Sequence, residues 1–131
     1  MAMTDDPIPD DVKAFLLRYI DSIAQLEALL LLRANAELAW SADTLAKRLY
    51  IPVLETAEIL VRLCADGFLA VKGGEPLLYQ YHCTSREQAH MVDHVAELYA
   101  SYLIPVTHLI HAKPRTRVQA FADAFRLRKD G

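Results

Sequence analysis

The sequence predicts a mainly α-helical domain with a small β-hairpin, an α+β fold, and three observations predict it. Apolar residues recur at helical spacing over most of the chain. Two short β-like runs, at 68–72 and 77–83, are joined by Gly73-Gly74-Glu75-Pro76, which is a hairpin signal. The length of 131 residues suits one domain whose core needs no disulfide or metal.

The bulk composition excludes several classes of protein. With 53% hydrophobic and 24% charged residues, the chain is not intrinsically disordered, and its apolar surplus predicts a partner surface for a second copy. The longest apolar run, Ala28–Leu32, is too short to span a membrane, and the acidic N-terminus is unlike a signal peptide. Cys64 and Cys83 lack metal-finger spacing, so we expect buried or free thiols and no disulfide, which fits a cytoplasmic location. We expect no cofactor.

Two helices are predicted before residue 40. Pro9, followed by two aspartates, suits the start of a first helix. Ser22 and Gln25 form a capping-box pattern for a second helix that runs to about Ala36. Leucines cover most of the circumference of this second helix, which predicts that it is the buried centre of the domain. The apolar stripe of the first helix is Val12, Phe15, Leu16 and Tyr19.

Two further helices are predicted before the hairpin. Ser41 is the expected N-cap of the third helix, and Pro52 can open a fourth that runs to about Asp66. Gly67 then supplies the permissive backbone of a C-cap. The side chains expected to face inward on these helices are Leu45, Ala46, Leu49, Leu60 and Leu63.

A long helix is predicted after the hairpin, from about Ser85 to Ala112. Thr84 and Glu87 form its capping-box pattern, and Pro105 should kink it without ending it because the apolar spacing continues. Pro114 should end it. The heptad-like seam along this helix is Val92, Val95, Tyr99, Tyr102, Val106 and Leu109.

The seam has two interpretations that do not exclude each other. It can pair with the same helix of a second subunit, which would make the protein a homodimer. It can also pack on the first helix, residues 12–20, within one chain. We favour the homodimer.

The stretch Leu45-Ala46-Lys47-Arg48-Leu49-Tyr50-Ile51, followed by Leu60, Leu63 and Gly67-Phe68-Leu69, resembles the helix-turn-helix and the start of the wing in bacterial winged-helix transcriptional regulators. The resemblance covers about residues 22–83. It implies a winged helix-turn-helix domain there, an N-terminal helical extension over 1–21, and a long dimerisation helix plus a short terminal helix over 84–131.

The resemblance implies transcriptional regulation through DNA, because the helix after the proline turn enters the major groove in this superfamily. Among the candidate residues, Arg62 is the one most expected to contact a base. The mixed charge of the fourth helix and a wing tip without a basic residue keep open an alternative, a winged-helix adaptor that binds a protein through its terminal helices. The candidate DNA-binding residues are Lys47, Arg48, Glu55, Glu58, Arg62 and Lys72.

Other reactive side chains are given structural interpretations. His90 and His94, with acids nearby, share one helical face, but exposed polar residues beside the seam are favoured over a metal site. Cys64 is expected to be a small buried hydrophobe. Without a nucleophile–base arrangement or a phosphate-binding glycine loop, the sequence predicts no enzyme.

The basic C-terminal tail, which begins at Lys113, has open alternatives. It can contact DNA phosphates or dock on an acidic patch, including the acidic N-terminal region of the chain. Thr116 and Gln119 predict a last short helix, and Phe121 and Phe125 indicate that this helix packs on the core or on a partner. The stretch 121–129 resembles the ends of small bacterial winged-helix proteins. The other basic residues of the tail are Arg115, Arg117, Arg126, Arg128 and Lys129.

Overall fold

A computed structural model describes residues 7–113 of the chain. Three predictions fall outside these residues: the helix end at Pro114, the short helix after it, and the basic residues of the tail beyond Lys113. Within them, no helix is long and apolar enough to cross a membrane. The elements are α1 (Asp10–Tyr19), α2 (Ile23–Ala34), β1 (Ala39–Trp40), α3 (Ala42–Leu49), α4 (Val53–Ala65), β2 (Leu69–Lys72), β3 (Leu78–Tyr81), α5 (Arg86–Ser101) and α6 (Leu103–His111).

The turn between α1 and α2 is closed by the predicted capping residues. Ser22 Oγ accepts a hydrogen bond from the Gln25 amide at 3.1 Å, which makes Ser22 the N-cap of α2. The Gln25 side chain reaches back one residue further than a capping box does, because its Oε1 accepts from the Asp21 amide at 2.7 Å. Its Nε2 also donates to the Tyr19 carbonyl at 3.1 Å. This buried glutamine therefore fixes the angle between the two helices.

The helix-turn-helix consists of α3 and α4, as the sequence predicts. Ser41 caps α3 by accepting from the Thr44 amide at 3.2 Å, and Tyr50 ends α3 in the left-handed conformation with φ of 60°. Pro52 precedes α4, and the buried Thr56 donates its hydroxyl to the Pro52 carbonyl at 2.9 Å. The turn is thus held by the left-handed backbone at Tyr50 and by the hydrogen bond between Thr56 and Pro52.

The hairpin forms the wing, and a third strand that the sequence analysis missed joins it. The antiparallel sheet has the order β1-β3-β2, with Leu69 opposite Tyr81 in the hairpin. In β1, Trp40 pairs with Tyr79. Gln80 ties the sheet to the preceding loop by donating to the Ala36 carbonyl at 2.9 Å.

The start of α5 differs by one residue from the prediction. Its N-cap is Ser85, whose Oγ accepts from the Gln88 amide at 3.0 Å. Thr84 stands outside the helix and donates its hydroxyl to Gln88 Oε1 at 3.3 Å. Gln88 Nε2 in turn donates to the Asp66 carbonyl at 2.8 Å, so this cap anchors α5 to the end of α4.

The predicted single, kinked C-terminal helix is two helices in the structure. The helical backbone breaks at Tyr102, where φ is −131° and ψ is 56°. Pro105 explains the position of the break, because it has no N–H to donate to the Ser101 carbonyl and its ring would collide with that carbonyl. The chain resumes as α6, which packs on α1.

One hydrophobic core joins the elements. α2 contributes three fully buried leucines, and the core also includes residues of α1, α5 and α6, which pack on one another. The rings of Phe15, Tyr19 and Phe68 pack edge-on or tilted, with centroids 5.1–5.7 Å apart. The core includes residues from all three predicted segments, 1–21, 22–83 and 84–131. The three buried leucines of α2 are Leu26, Leu29 and Leu32.

Candidate nucleic-acid interface

α3, α4 and the wing together form one side of the molecule. The tip of the hairpin lies beside the first turn of α3 and the middle of α4, and a cleft of about 370 Å³ separates them. Both helices and the wing therefore present a common surface, as a winged helix requires for contact with a DNA duplex. The cleft is lined by Ser41, Ala42, Asp43, Ala57, Gly74, Glu75, Pro76, Leu77 and Tyr79.

Two predicted phosphate contacts lie in the last turn of α3. Lys47 and Arg48 are both exposed. The Arg48 guanidinium carbon lies 5.6 Å from the centroid of the Trp40 ring, which places a cation over the face of a buried aromatic side chain. Trp40 belongs to β1, so the strand that the sequence analysis missed positions a candidate DNA contact.

Arg62, the expected base contact, is held by two carboxylates. Its Nη1 lies 3.2 Å from Asp21 Oδ2, and its Nε lies 3.2 Å from Asp66 Oδ2. Asp66 is one helical turn away on the same element, whereas Asp21 comes from the α1–α2 turn. The guanidinium is therefore directed towards the body of the domain, and a contact with a base would require both ion pairs to open.

The two candidate glutamates lie on α4 near this ion pair. Glu55 is in the first turn of α4 and Glu58 follows one turn later, and both are exposed. Together with Asp21, Ser22, Gln25, Ile59 and Arg62 they line a shallow recess of about 270 Å³.

The exposed side of α4 is largely apolar, with one acid, Glu58, on it. The α4 outer face consists of Leu54, Ala57, Glu58, Val61 and Ala65; Leu54 is 80% exposed and Val61 is 58% exposed. The signal was present in the sequence, since these residues recur at spacings of three and four on the side opposite the inward Leu60 and Leu63.

The charge of the whole surface is mixed. Lys72, at the end of β2, is exposed and adds a third cation to Lys47 and Arg48. Four exposed carboxylates oppose these three cations, which limits the phosphate affinity of the surface. The four acids are Asp43, Glu55, Glu58 and Glu75.

Solved structures with the same architecture exist, although no protein-family model matches the sequence and no curated protein matches it significantly. Sco5413, a MarR-family transcriptional regulator from Streptomyces coelicolor, is 18% identical with a TM-score of 0.54, over 92% of this chain and 81% of that one. Wild-type MarR from E. coli is 15% identical with a TM-score of 0.51, over 88% and 83%. RV1404 from Mycobacterium tuberculosis is 18% identical with a TM-score of 0.50, over 87% and 82%. The chain has the MarR-type winged helix-turn-helix fold.

In this MarR-type fold, most of the predicted dimer seam lies inside the chain. Val92, Val95 and Val106 are buried in the core, and Leu109 packs against it. These four residues thus pack within one chain, and the homodimer stays a prediction. The seam positions do not form one open surface.

The two tyrosines of the seam differ in environment. Tyr99 donates its hydroxyl to Glu27 Oε2 at 3.1 Å; burial and this bond to Glu27 raise the pKa of Tyr99 to about 12. Tyr102 is 43% exposed at the α5–α6 break, where it adjoins Leu103 and Ile104, which are 52% and 64% exposed. The large apolar side chains that α5 and α6 expose to solvent therefore lie at this junction.

The histidines beside the seam are not gathered into a metal site. His90 and His94 line a shallow recess with Asp11, Glu87 and Met91. Within residues 7–113, no group of three or more histidine, cysteine or acidic side chains is arranged to hold a metal ion.

The two cysteines of the winged helix are free thiols in the described part of the chain, and both are half-buried. Cys83 Sγ donates to the Tyr81 hydroxyl at 3.3 Å. Burial raises the pKa of the Cys83 thiol, which disfavours the reactive thiolate.

Proposed function

We propose that this chain is a winged-helix DNA-binding protein that regulates transcription as a homodimer. The observation that carries the proposal is the common surface of α3, α4 and the wing, with the exposed cations Lys47, Arg48 and Lys72 on it. The description of Sco5413, a protein of the same fold, as a transcriptional regulator supports the proposal.

The three cations would contact phosphates. Each neutralised phosphate contributes about −0.9 to the slope of log affinity against log salt concentration. Three contacts in each of two protomers therefore give a slope of about −5. Such a slope weakens binding roughly a thousandfold between about 50 and 200 mM salt. Arg48 is the best placed of the three because the Trp40 ring already orients its side chain.

The α4 outer face would supply the base contacts. Glutamate can accept a hydrogen bond from the amino group of cytosine, and apolar side chains contact the methyl group of thymine. Glu58 with Leu54 and Val61 therefore favours C and T edges in the major groove. With Arg62 held by two acids, the arginine contact to guanine that many DNA-binding proteins use is disfavoured.

The homodimer would form through the apolar junction between α5 and α6. Ile104 is 64% exposed and Leu103 is 52% exposed there, next to Tyr102, which is 43% exposed. The variant Ile104→Asp should convert a dimer to a monomer in sedimentation velocity. Val71→Asp, at a wing residue that is 49% exposed, is the matched control and should leave the dimer intact. A monomer at every concentration in the unmodified chain contradicts the dimer.

DNA binding is tested by fluorescence anisotropy with pooled duplexes from the genomic neighbourhood of the protein, at about 50 and 200 mM salt. We expect selective binding that weakens steeply with salt. The variants Lys47→Ala and Arg48→Ala should each make the salt slope less steep. The expected change is about two units, because a dimer loses one phosphate contact in each protomer. Arg62→Ala should change affinity much less. Absence of binding at low salt refutes the proposal.

A second candidate function is an adaptor that binds a protein. The observation that favours it is the 80% exposure of Leu54 together with the acidic residues around it, because a phosphate-binding surface is normally basic. Absence of DNA binding, with the fold intact, supports this candidate.

A further inference from the structure

The α4 outer face combines apolar and acidic side chains. Leu54 and Val61 are exposed, and the exposed Glu55 and Glu58 lie along one side of them. A shallow apolar depression runs along this face between Ala57 and Ala65. Such a surface fits an occupant that carries both hydrophobic and basic side chains.

The described chain ends beside Asp21, a residue that is ion-paired with α4. The side chain of Lys113 is only 5% exposed, and its ammonium donates to the Ile20 carbonyl at 2.6 Å and to Asp21 Oδ1 at 2.9 Å. The other oxygen of Asp21 lies 3.2 Å from Arg62 Nη1, on α4. One carboxylate therefore joins the start of the C-terminal tail to the helix that carries the α4 outer face.

The sequence of the tail complements that face. Residues 114–131 contain five basic residues against two acidic ones, Asp123 and Asp130. The first two bases, Arg115 and Arg117, follow Lys113 closely, and Phe121 and Phe125 come later. The helical rise places Leu54 about 12 Å along α4 from Arg62, a distance that about four extended residues span. The tail is long enough to cover the whole face.

We propose that residues 114–131 dock on the α4 outer face of their own chain. Arg115 and Arg117 then lie beside Glu55 and Glu58, and the two phenylalanines cover Leu54 and Val61. The docked tail occupies the helix that would enter the major groove, so it acts as an intramolecular competitor of DNA. This regulatory consequence rests on the proposed function; the contact between tail and helix does not.

The contact is tested by photo-crosslinking in the full chain. The photoreactive residue p-benzoylphenylalanine, incorporated in place of Phe125, keeps an aromatic side chain at the reporting position. On irradiation at about 1 μM protein we expect crosslinks to the α4 peptide in species of single-chain mass. Val61→Asp should lower the yield about tenfold, because it places a charge where the docked tail would bury an apolar side chain. Val71→Asp, the matched wing variant, should leave the yield unchanged.

Three results overturn the intramolecular contact. Crosslinks to peptides outside α4 place the tail elsewhere. Crosslinks to α4 found only in covalent dimers assign the occupant to a second copy of the chain. Equal losses in Val61→Asp and Val71→Asp show that the yield does not depend on the α4 outer face. Both valines are exposed, and far-UV circular dichroism establishes that each variant is folded.

A separate measurement tests the regulatory consequence. The double variant Phe121→Ala and Phe125→Ala should bind duplex DNA about tenfold more tightly than the unmodified chain, since it frees α4. Crosslinks to α4 together with no DNA binding in either protein uphold the docking and refute the proposed function. DNA binding without crosslinks to α4 does the opposite.

Discussion

Gly67 joins α4 to the wing, and a methyl group at this position tests how closely the joint is packed. Its φ is +91°, and an added Cβ would lie 2.8 Å from Thr84 Oγ1 and 3.3 Å from Gln88 Oε1. Those two atoms hydrogen-bond to each other at 3.3 Å, and Gln88 also holds the Asp66 carbonyl. The variant Gly67→Ala therefore strains the backbone and displaces the residues that attach α5 to α4.

The destabilisation follows from two contributions. An L-residue in a left-handed conformation costs about 1–2 kcal/mol. Displacing Thr84 from its hydrogen bond costs about another 1 kcal/mol. Gly67→Ala should therefore lower the free energy of unfolding by about 2–3 kcal/mol. For a domain of this size that corresponds to a decrease in Tm of about 10 °C.

Thermal unfolding followed by far-UV circular dichroism measures the effect. Gly73→Ala is the matched control, because an added Cβ there meets no atom within 4 Å, and its Tm should stay within about 2 °C of the original. Thr84→Ala alone removes the same hydrogen bond, so it should cost about 1 kcal/mol, and the double variant should be about as stable as Gly67→Ala. If Gly67→Ala changes Tm no more than Gly73→Ala does, the reasoning is wrong.

Two further predictions concern the C-terminal helices. Ser85→Ala should cost about 1 kcal/mol in urea unfolding because the serine caps the Gln88 amide, whereas the exposed Glu87→Ala should cost less; equal costs would contradict Ser85 as the cap. The pKa of Tyr99 is raised to about 12 by burial and by Glu27, so the unfolded chain loses this proton first and stability should fall as pH rises from about 10 to about 12. Tyr99→Phe should reduce that decline in urea unfolding at pH 9 and 11, and an unchanged decline would contradict the assignment.

The sequence predicted the elements whose signals are local. Ser22 and Ser41 cap the helices that follow them, and Gly67 adopts the positive φ expected of a C-cap. Each of these signals depends on a few neighbouring residues, so a single sequence contains them. The choice between Thr84 and Ser85 was harder, because two adjacent hydroxyl residues can both cap, and the hydrogen bond from Gln88 to the distant Asp66 carbonyl is not visible in the sequence.

Features that depend on distant contacts were not predictable in the same way. β1 is a strand because Trp40 pairs with Tyr79, far along the chain, and two residues are too few for a periodic pattern. The pairing of Arg62 with Asp21 was not predicted, because those residues meet only after α1, α2 and α4 have packed together. The heptad-like spacing of Val92 and Val95 shows which side of the helix is apolar but does not show which surface covers it.

The position of Trp40 gives the protein an internal optical probe. It is the one tryptophan in the sequence, its indole is buried at the edge of the wing sheet, and the Arg48 guanidinium lies over its ring. The emission of a buried indole responds to nearby charge. Any ligand that draws Arg48 away from the ring should therefore alter the fluorescence of the unlabelled protein, which allows occupancy of this surface to be followed in real time without a dye.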